Sequence, residues 1–458
     1  MIKEEFRRYL VEAIGEERAL VAFAAFDEPA SVSVRFNPFK PSECRFEGKD
    51  VAWSRHGMIL EERPVFTLDP LFHAGAYYVQ DSSSMFVGHV FRELLSRIDI
   101  PSGRPFRVLD LCAAPGGKST DIAASLRERF GDDFLLVTNE VMKQRVGILA
   151  DNMALWGDPN VVVTSDDPSA FASLPDFFDV ILADVPCSGE GMFRKDELAQ
   201  EHWSPDNVAL CEARQRRIIA DVWPSLRQGG LLVYSTCTFN IYENDGNVAW
   251  IADELGAGML LEDDIIAAEG PVKTKYGYGL VPGFVEGEGQ YCSALVKMSE
   301  PGTFRTALSR KSRQPSRTSS GLPSGLERLF VSEMSFRERG GTITAVPKII
   351  EAEVASLETP LHVIAAGCAA GMMKGKDLVP DPDLALSIIF EKNAWPSVDV
   401  DRQTALAYLH RDTVCFPDAP KGYLIVRYEG LPLGFVKNLG NRCNSLYPQS
   451  RRIRMDIK

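Results

Sequence analysis

The hydrophobic positions between residues 105 and 240 form short apolar runs separated by longer stretches of mixed composition. The runs are rich in Val, Ile and Leu and read FRVLDL (106–111), LLVTNE (135–140), NVVVTS (160–165), DVILADV (179–185) and LLVYST (231–236). Strands of this composition are buried on both faces, as in parallel sheets with helices packed on either side. The pattern therefore predicts an α/β fold with a mostly parallel, doubly wound sheet.

The region before these runs has a different pattern. Residues 1–100 contain amphipathic helical stretches around one short alternating run, SVSVRFN (31–37), which Pro38 ends. We expect an N-terminal α+β lobe here, followed by the doubly wound domain over residues 101–300.

The region after residue 300 predicts a linker and a further domain. Residues 301–325 are rich in Ser, Arg, Gly and Pro, which is typical of a linker or a mobile loop. Residues 326–458 predict a small C-terminal α/β or barrel-like domain. Within it, GYLIVRYEGLPLGFVKNLG (422–440) has the alternation of a β-hairpin turned at Glu429-Gly430.

The composition excludes several classes of protein. Of the 458 residues, 45% are hydrophobic and 25% are charged, as in a soluble globular protein of several domains. No apolar run approaches the roughly 18 residues of a membrane span, and the charged N-terminus does not resemble a signal peptide. The nine cysteines are scattered, without a CxxC pair that would bind zinc. We expect a cytoplasmic protein with free thiols, no metal and no membrane contact.

Basic residues are concentrated in two places, although the net charge of −13 argues against a protein that coats nucleic acid. The first cluster spans residues 305–317 and is either part of a nucleic-acid path or ordinary solvated surface. The second lies at the end of the chain, where basic side chains are expected to contact RNA phosphates. The predicted phosphate contacts are Lys437, Arg451, Arg452 and Arg454.

The segment VLDLCAAPGGKST (108–120) leaves a strand, turns through small residues and opens a helix. Gly116 and Gly117 let backbone N–H groups approach a ligand closely, because glycine tolerates unusual dihedrals and adds no bulk. The segment has neither the GxGxxG of a dinucleotide site nor the GxxxxGK[ST] of a phosphate loop, which argues against a triphosphate. The segment therefore predicts a cofactor other than a dinucleotide or a nucleoside triphosphate.

Two carboxylates follow the next strands. Glu140 ends the second strand, where an acidic side chain commonly holds ribose hydroxyls, and Asp167 follows the third, where it could accept from an adenine amino group. The alternative is that each of them caps a helix.

Two cysteines come directly after the fourth and fifth strands: Cys187 in ADVPCSGEGMFRKD (183–196) and Cys237 in YSTCTFN (234–240). A single cysteine at such a position is most often an inert core residue. Two of them, beside a cofactor loop, favour nucleophilic catalysis by a thiolate.

The motifs DLCAAPGGK (110–118), ADVPCSGEGMFRKD and YSTCT (234–238) resemble those of the RNA cytosine-5 methyltransferases of the Sun/NSUN family, in its RsmF-like ribosomal RNA branch. SVSVRFNP (31–38) and YYVQDSSSM (77–85) look like the substrate-side segment of that family. LPLGFVKNLGNRCNSLYP (431–448) resembles its PUA-like RNA-binding module. The resemblance implies a Rossmann-like class I methyltransferase domain and an S-adenosylmethionine cofactor.

The resemblance also implies roles for individual residues. The cysteine matching Cys237 is the nucleophile in that family, and the one matching Cys187 assists product release. The residues implied to line the cofactor pocket are Cys112, Ala113, Ala114, Pro115, Gly116, Gly117, Lys118, Glu140, Arg145, Asp167 and Asp184.

The chemistry of cytosine explains why two thiols are useful. Carbon 5 is too weak a nucleophile to attack a sulfonium methyl until a thiolate has added to carbon 6. After methyl transfer, a second base must remove the proton from carbon 5 so that the first thiol can leave. We expect Lys118 to favour the thiolate of Cys237, and Asp184 to donate or share a proton at ring nitrogen 3.

The resemblance points to 16S ribosomal RNA or the small ribosomal subunit as partner. A monomer is the default expectation for such a site. Transfer RNA is an alternative substrate, and a non-catalytic RNA-binding assembly factor is an alternative function. A DNA cytosine-5 methyltransferase would take its nucleophile from Pro186-Cys187, but it would leave Cys237 without a role.

Overall fold

The protein is described here by a computed structural model, which covers residues 3–260, 269–298, 322, 325–375 and 377–457. The basic cluster at 305–317 and most of the predicted linker lie outside these residues. The helices are α1 (Glu4–Ile14), α2 (Glu16–Ala25), α3 (Pro70–His73), α4 (Ser82–Leu94), α5 (Gly117–Phe130), α6 (Lys143–Trp156), α7 (Glu197–His202), α8 (Pro205–Val222), α9 (Asp245–Leu255), α10 (Glu351–Leu357), α11 (Pro382–Leu386) and α12 (Arg402–His410).

The strands form the sheets of three regions. Those before residue 300 are β1 (Ser33–Phe36), β2 (Gly48–Val51), β3 (Ser54–Leu60), β4 (Tyr77–Val79), β5 (Phe106–Asp110), β6 (Phe134–Asn139), β7 (Val161–Thr164), β8 (Phe178–Asp184), β9 (Leu226–Thr236), β10 (Ala257–Met259), β11 (Val272–Lys273), β12 (Tyr278–Leu280) and β13 (Gln290–Lys297). Those after it are β14 (Met334–Arg339), β15 (Thr342–Pro347), β16 (Val363–Ala366), β17 (Cys368–Lys374), β18 (Asp377–Pro380), β19 (Ser397–Asp399), β20 (Gly422–Tyr428), β21 (Leu431–Asn438) and β22 (Cys443–Ser445).

The central sheet has the predicted doubly wound order. Within the described residues its strands follow one another as β11-β12-β13-β9-β8-β5-β6-β7-β16, and β5 to β9 pair in parallel. Successive residues of a strand face opposite sides, so Val108 packs in the core on one face and Leu109 in the core on the other. Burial on both faces explains why the runs are apolar throughout, and the α/β fold class is confirmed.

The N-terminal lobe contains the four-stranded antiparallel sheet β2-β3-β1-β4 and the helices α1 and α2. In α1 the buried residues Phe6, Leu10 and Ile14 recur every fourth position, which places them on one face. That face packs against Phe193 and Phe239, which follow the two cysteines along the chain. The lobe therefore supports the cysteine loops.

The C-terminal region has two small four-stranded sheets, β14-β15-β17-β18 and β19-β20-β21-β22. The hairpin predicted over 422–440 is confirmed as β20 and β21, with Glu429 (φ 50°) and Gly430 (φ 77°) at the turn. Both turn residues have positive φ, as a type I′ hairpin turn requires. No helix in the described ranges is long and apolar enough to cross a bilayer.

One part of the C-terminal region joins the central sheet. Strand β16 pairs antiparallel with β7, with Val363 opposite Thr164. The buried side chains Val354 and Leu357 of α10 belong to the same core cluster as Val162. Residues beyond the predicted boundary at 326 thus complete both the sheet and its core.

Candidate active site

The predicted catalytic residues lie at one edge of the central sheet. Because β5, β8 and β9 are parallel neighbours, their carboxyl ends lie side by side. The chain order reverses at β5, with β6 on one side and β8 on the other, and open α/β sheets bind ligands at such a switch point. The cofactor segment follows β5, Cys187 follows β8 and Cys237 follows β9.

The two cysteines are in contact. Cys187 Sγ and Cys237 Sγ are 3.0 Å apart, and the Cys237 backbone N–H donates to Cys187 Sγ at 3.3 Å. Both side chains are partly exposed free thiols. The hydrogen bond with Cys237, and then burial, raise the pKa of Cys187 well above its ordinary value. The short contact between the sulfurs and the raised pKa of Cys187 show that each thiol affects the other directly.

Asp184, at the end of β8, is held by donors from three directions. Lys118 Nζ donates to its Oδ2 at 2.8 Å, and Ser235 Oγ and Gln290 Nε2 donate to its Oδ1 at 2.7 and 3.0 Å. Burial raises the pKa of Asp184, but Lys118 and these hydrogen bonds outweigh it and hold that pKa below its ordinary value. Burial lowers the pKa of Lys118, but the carboxylate of Asp184 raises it by more. The pKa of Lys118 therefore lies above its ordinary value.

This ion pair changes the role expected of Asp184. Its carboxylate is ionised and accepts hydrogen bonds, so in the free protein it has no proton to donate to a base. The ammonium group of Lys118 carries the proton. The charge of Cys237 also contributes, after that of Asp184, to the raised pKa of Lys118, and the same attraction favours a thiolate at Cys237.

The cofactor segment forms a tight turn between β5 and α5. The Ala113 N–H donates to the Asn139 carbonyl at 2.8 Å, and Gly116 (φ 113°) caps the helix in a conformation that favours glycine. A Cβ added at Gly117 would lie 3.3 Å from the ring of Tyr78. The turn brings Cys112, Ala113, Ala114, Pro115, Gly116, Gly117 and Lys118 together.

Asp110 precedes this turn and is a site residue that sequence reasoning missed. Its Oδ2 accepts from Ser119 Oγ at 2.6 Å, whereas its buried Oδ1 has no hydrogen-bond partner among the described residues. Burial raises the pKa of Asp110 to about 7. Buried polar atoms are rarely left unsatisfied, so this oxygen is a place for a ligand donor. Its position in the DLCAAPGGK motif was the available signal.

The carboxylates of Glu140 and Asp167 lie at the ends of β6 and β7, as expected. Glu140 is buried, accepts from the Met142 N–H at 2.8 Å and pairs with Arg145 at 3.3 Å. Asp167 Oδ1 accepts from the Ser169 N–H at 3.1 Å and caps the short turn that follows. The capping alternative is thus observed for Asp167, whose Oδ2 also pairs with Arg217 of α8 at 3.4 Å.

Two further carboxylates, Glu190 and Glu243, lie directly behind the cysteine loops and are fully buried. Sequence reasoning did not single them out, because charged residues in loops are normally solvated. For Glu190 a signal existed: it stands inside the quoted motif ADVPCSGEGMFRKD.

The described residues contain no group of His, Cys, Asp and Glu side chains arranged to hold a metal ion.

The predicted phosphate contacts divide into two kinds. Lys437, Arg452 and Arg454 are exposed. Only 10% of the Arg451 side chain is exposed, and its guanidinium pairs with Asp151 and Asp383. With its donors directed at two carboxylates, Arg451 is not available to a phosphate, and the geometry contradicts the prediction for this residue.

Comparison with known proteins agrees with this geometry. Three family models match the chain: 16S rRNA methyltransferase RsmB/F over residues 103–296, the N-terminal domain of the 16S rRNA methyltransferase RsmF over 2–82, and the RsmF PUA domain over 396–453. Ribosomal RNA small subunit methyltransferase F of Serratia proteamaculans is 31% identical over 82% of this chain and 78% of its own length. This chain belongs to the RsmF family.

Other relatives extend the match. Ribosomal RNA small subunit methyltransferase F of an Enterobacter species is 29% identical over 97% of this chain and 95% of its own length. Among solved structures, a methyltransferase homologue from Pyrococcus horikoshii has a TM-score of 0.53 and 25% identity, covering 65% of this chain and 95% of its own. NSun6 from the same organism, solved with SFG, has a TM-score of 0.53 and 19% identity, covering 65% and 99%. The family is of the S-adenosylmethionine-dependent class, and the predicted RsmF-like membership and PUA-like module are confirmed.

Proposed function

We propose that this protein methylates carbon 5 of a cytosine in 16S ribosomal RNA through a covalent bond between Cys237 and carbon 6 of the base. The observation that carries the proposal is the pair of thiols, 3.0 Å apart at the ends of β8 and β9. Methyl transfer to a nitrogen or oxygen atom needs no such pair. Methyl transfer to carbon 5 needs one group that attacks and another that helps it to leave.

The site residues support a stepwise assignment. The thiolate of Cys237 adds to carbon 6, which makes carbon 5 nucleophilic. The ammonium of Lys118, held by Asp184, donates a hydrogen bond to the base as negative charge develops. We assign this donor role to Lys118 in place of Asp184, because the pKa of Asp184 is lowered and its carboxylate is ionised.

Release of the product follows from the contact between the sulfurs. In the free protein, the hydrogen bond with Cys237 is the largest cause that raises the pKa of Cys187. Once Cys237 is bonded to carbon 6, its sulfur is a thioether and that cause disappears. Cys187 can then lose its proton to solvent and accept the proton of carbon 5. The electrons of that C–H bond restore the 5,6 double bond and expel Cys237 as a thiolate.

The residues at the switch point fit S-adenosylmethionine as the cofactor. Asp110 offers an unsatisfied buried oxygen, and the tight turn that follows has glycines at 116 and 117, which add no side chain beside it. The backbone of the turn, with Glu140 and Asp167, would hold the nucleoside and the amino acid portion. When bound, this cofactor supplies an electrophilic methyl group.

The assignment of the RNA rests on the relatives and on the C-terminal region. The relatives are named for the small-subunit ribosomal RNA, and a PUA domain model matches residues 396–453. The exposed side chains of Lys437, Arg452 and Arg454 are the proposed phosphate contacts. The cytosine must be turned out of its helix before Cys237 can reach carbon 6.

The test is methyl transfer by the purified full-length chain to an unmodified 16S RNA transcript, with radiolabelled S-adenosylmethionine. We expect Cys237→Ala to abolish transfer and Cys187→Ala to accumulate a protein–RNA adduct that survives denaturing electrophoresis. Cys415→Ala, which removes an exposed thiol elsewhere, is the matched control. The reverse pattern of adducts would make Cys187 the nucleophile, labelling of transfer RNA alone would change the substrate, and no labelling of any RNA would refute the enzyme.

A further inference from the structure

Each of the two cysteine loops is held by a carboxylate that belongs to the other. Glu190 follows Cys187, and its Oε2 accepts the backbone N–H groups of Phe239 and Asn240 at 2.7 and 3.1 Å. Glu243 follows Cys237, and its Oε2 accepts the backbone N–H of Ser188 at 3.0 Å. Each loop is thus held by the other at backbone N–H groups that lie one to three residues after its cysteine.

Further bonds join the loops between these anchors. The Gly191 N–H donates to the Cys237 carbonyl at 2.9 Å, and the hydroxyls of Ser188 and Thr238 are 2.9 Å apart. The side-chain amide of Asn240 donates to both carboxylates, to Glu190 Oε1 at 2.9 Å and to Glu243 Oε1 at 2.8 Å. Asn240 therefore links the two anchors into one buried network that fixes the separation of the sulfurs.

Both positions require a carboxylate, because the groups that surround it are donors. Besides the backbone N–H groups, Glu190 accepts from Trp203 Nε1 at 2.9 Å and Glu243 from Gln215 Nε2 at 2.7 Å. The Gln215 amide is oriented by its own oxygen, which accepts from Asn247 at 2.7 Å. A glutamine at either position would direct an NH₂ group at another donor and break part of the network.

The burial of two acidic groups behind the thiols is costly, and burial raises the pKa of Glu243 to about 7. The core beside them is aromatic and apolar, with Phe6, Phe193, Trp203 and Phe239 in one cluster. If the residues in this space served only to pack the core, apolar side chains would be expected there. The carboxylates are therefore retained for the backbone groups that they position.

We propose that Glu190 and Glu243 are positioning residues with separate effects on the reaction. Glu190 places Cys237 for its attack on carbon 6, and Glu243 places Cys187 for release. The inference rests on the proposed covalent chemistry, in which attack and release are different steps. A displacement of about 1 Å at a reacting group can slow its step by ~100-fold, so the two substitutions should be distinguishable.

The test measures both steps in single-turnover reactions of the full-length protein with a 16S RNA transcript and S-adenosylmethionine. In Glu243→Gln the covalent adduct should form at close to the normal rate and decay at least about tenfold more slowly, so that it accumulates as in Cys187→Ala. In Glu190→Gln the adduct should form at least about tenfold more slowly and should not accumulate. Glu353→Gln is the matched control, because Glu353 is also buried and accepts from Arg107 at 2.9 Å, away from the cysteines.

A second variant covers the case in which the buried glutamines unfold the protein, which thermal melting would show. Gln215→Met leaves Glu243 in place but removes its 2.7 Å donor and the bond from Gln215 to the Pro186 carbonyl at 3.0 Å. It should also slow adduct decay more than adduct formation. Equal slowing of both steps, or normal rates of both in folded variants, would overturn the inference. Failure of Cys187→Ala to accumulate any adduct in the same experiment would overturn the proposed function itself.

Discussion

Replacement of Arg451 by alanine tests whether this residue supports the fold or binds RNA. Arg451 Nε donates to Asp151 Oδ1, on α6, at 2.8 Å. Its Nη1 and Nη2 donate to the carboxylate of Asp383, on α11. The guanidinium therefore connects the segment after β22 to α6 of the methyltransferase domain and to α11, which follows the first small sheet.

The expected cost can be worked from the exposure of the partners. Asp383 is 25% exposed, so its bond to Arg451 should contribute near the lower end of the ~1.5–3 kcal/mol of a charge-assisted hydrogen bond. Asp151 is 42% exposed and should contribute about 0.5 kcal/mol, as surface ion pairs do. The sum is about 2 kcal/mol. Repulsion adds to it, because burial, and then the charge of Asp383, raise the pKa of the neighbouring Asp381 to about 6.

The assay is urea unfolding of Arg451→Ala, together with RNA binding over a range of salt concentrations. Arg452→Ala is the neighbouring control: it should change the free energy of unfolding by less than about 0.5 kcal/mol and reduce the salt slope of RNA binding by about one. The reasoning would be refuted if Arg451→Ala left the free energy of unfolding unchanged and reduced the salt slope instead.

Three other substitutions have expected outcomes. Burial lowers the pKa of Lys40 to about 7, so between about pH 7 and 10.5 the unfolded chain binds a proton that the folded chain does not. The stability of the wild type relative to Lys40→Met should therefore rise as the pH increases over that range, and urea unfolding at pH 6 and pH 9 checks it. Gly191→Ala would place a Cβ 3.0 Å from the Cys237 carbonyl and 2.9 Å from the Gly289 carbonyl. It should lower methyl transfer by at least about tenfold, as single-turnover kinetics would show. Gly147→Ala, in open space on α6, should stabilise the protein by about 0.5–1 kcal/mol in the same unfolding assay.

The sequence predicts the central sheet well because the physical cause is local. A strand that is buried on both faces must be apolar throughout, so a run such as DVILADV can be recognised from the sequence alone. The observed β8 lies within one residue of the bounds predicted from that run. The two cysteines could be placed together for the same reason, since parallel strands end at one edge. Their contact at 3.0 Å could not be predicted, because it depends on the path of two loops.

The missed features depend on partners that are distant in sequence. Arg451 reads as a basic surface residue until Asp151, 300 positions away, is placed beside it. Glu190 and Glu243 read as solvated charges: the place of Glu190 in the motif ADVPCSGEGMFRKD marks it as a candidate, but no sequence pattern reveals that backbone donors converge on either residue. A hydrophobic or polar pattern along the chain describes the preference of single residues for water. The roles of these residues depend instead on contacts with partners that the pattern does not identify.

The pairing of β16 with β7 limits where the chain can be truncated without loss of the fold. A fragment that ended before residue 326 would lose β16 and α10 and would leave the outer backbone edge of β7 without partners, above an uncovered apolar patch at Val162. Open, apolar strand edges are templates for pairing between molecules, so such a fragment would aggregate. A cut directly after β16 would open a new edge, because β15 pairs with β17 and β17 with β18, so the shortest catalytic piece should extend through Pro380 at the end of β18.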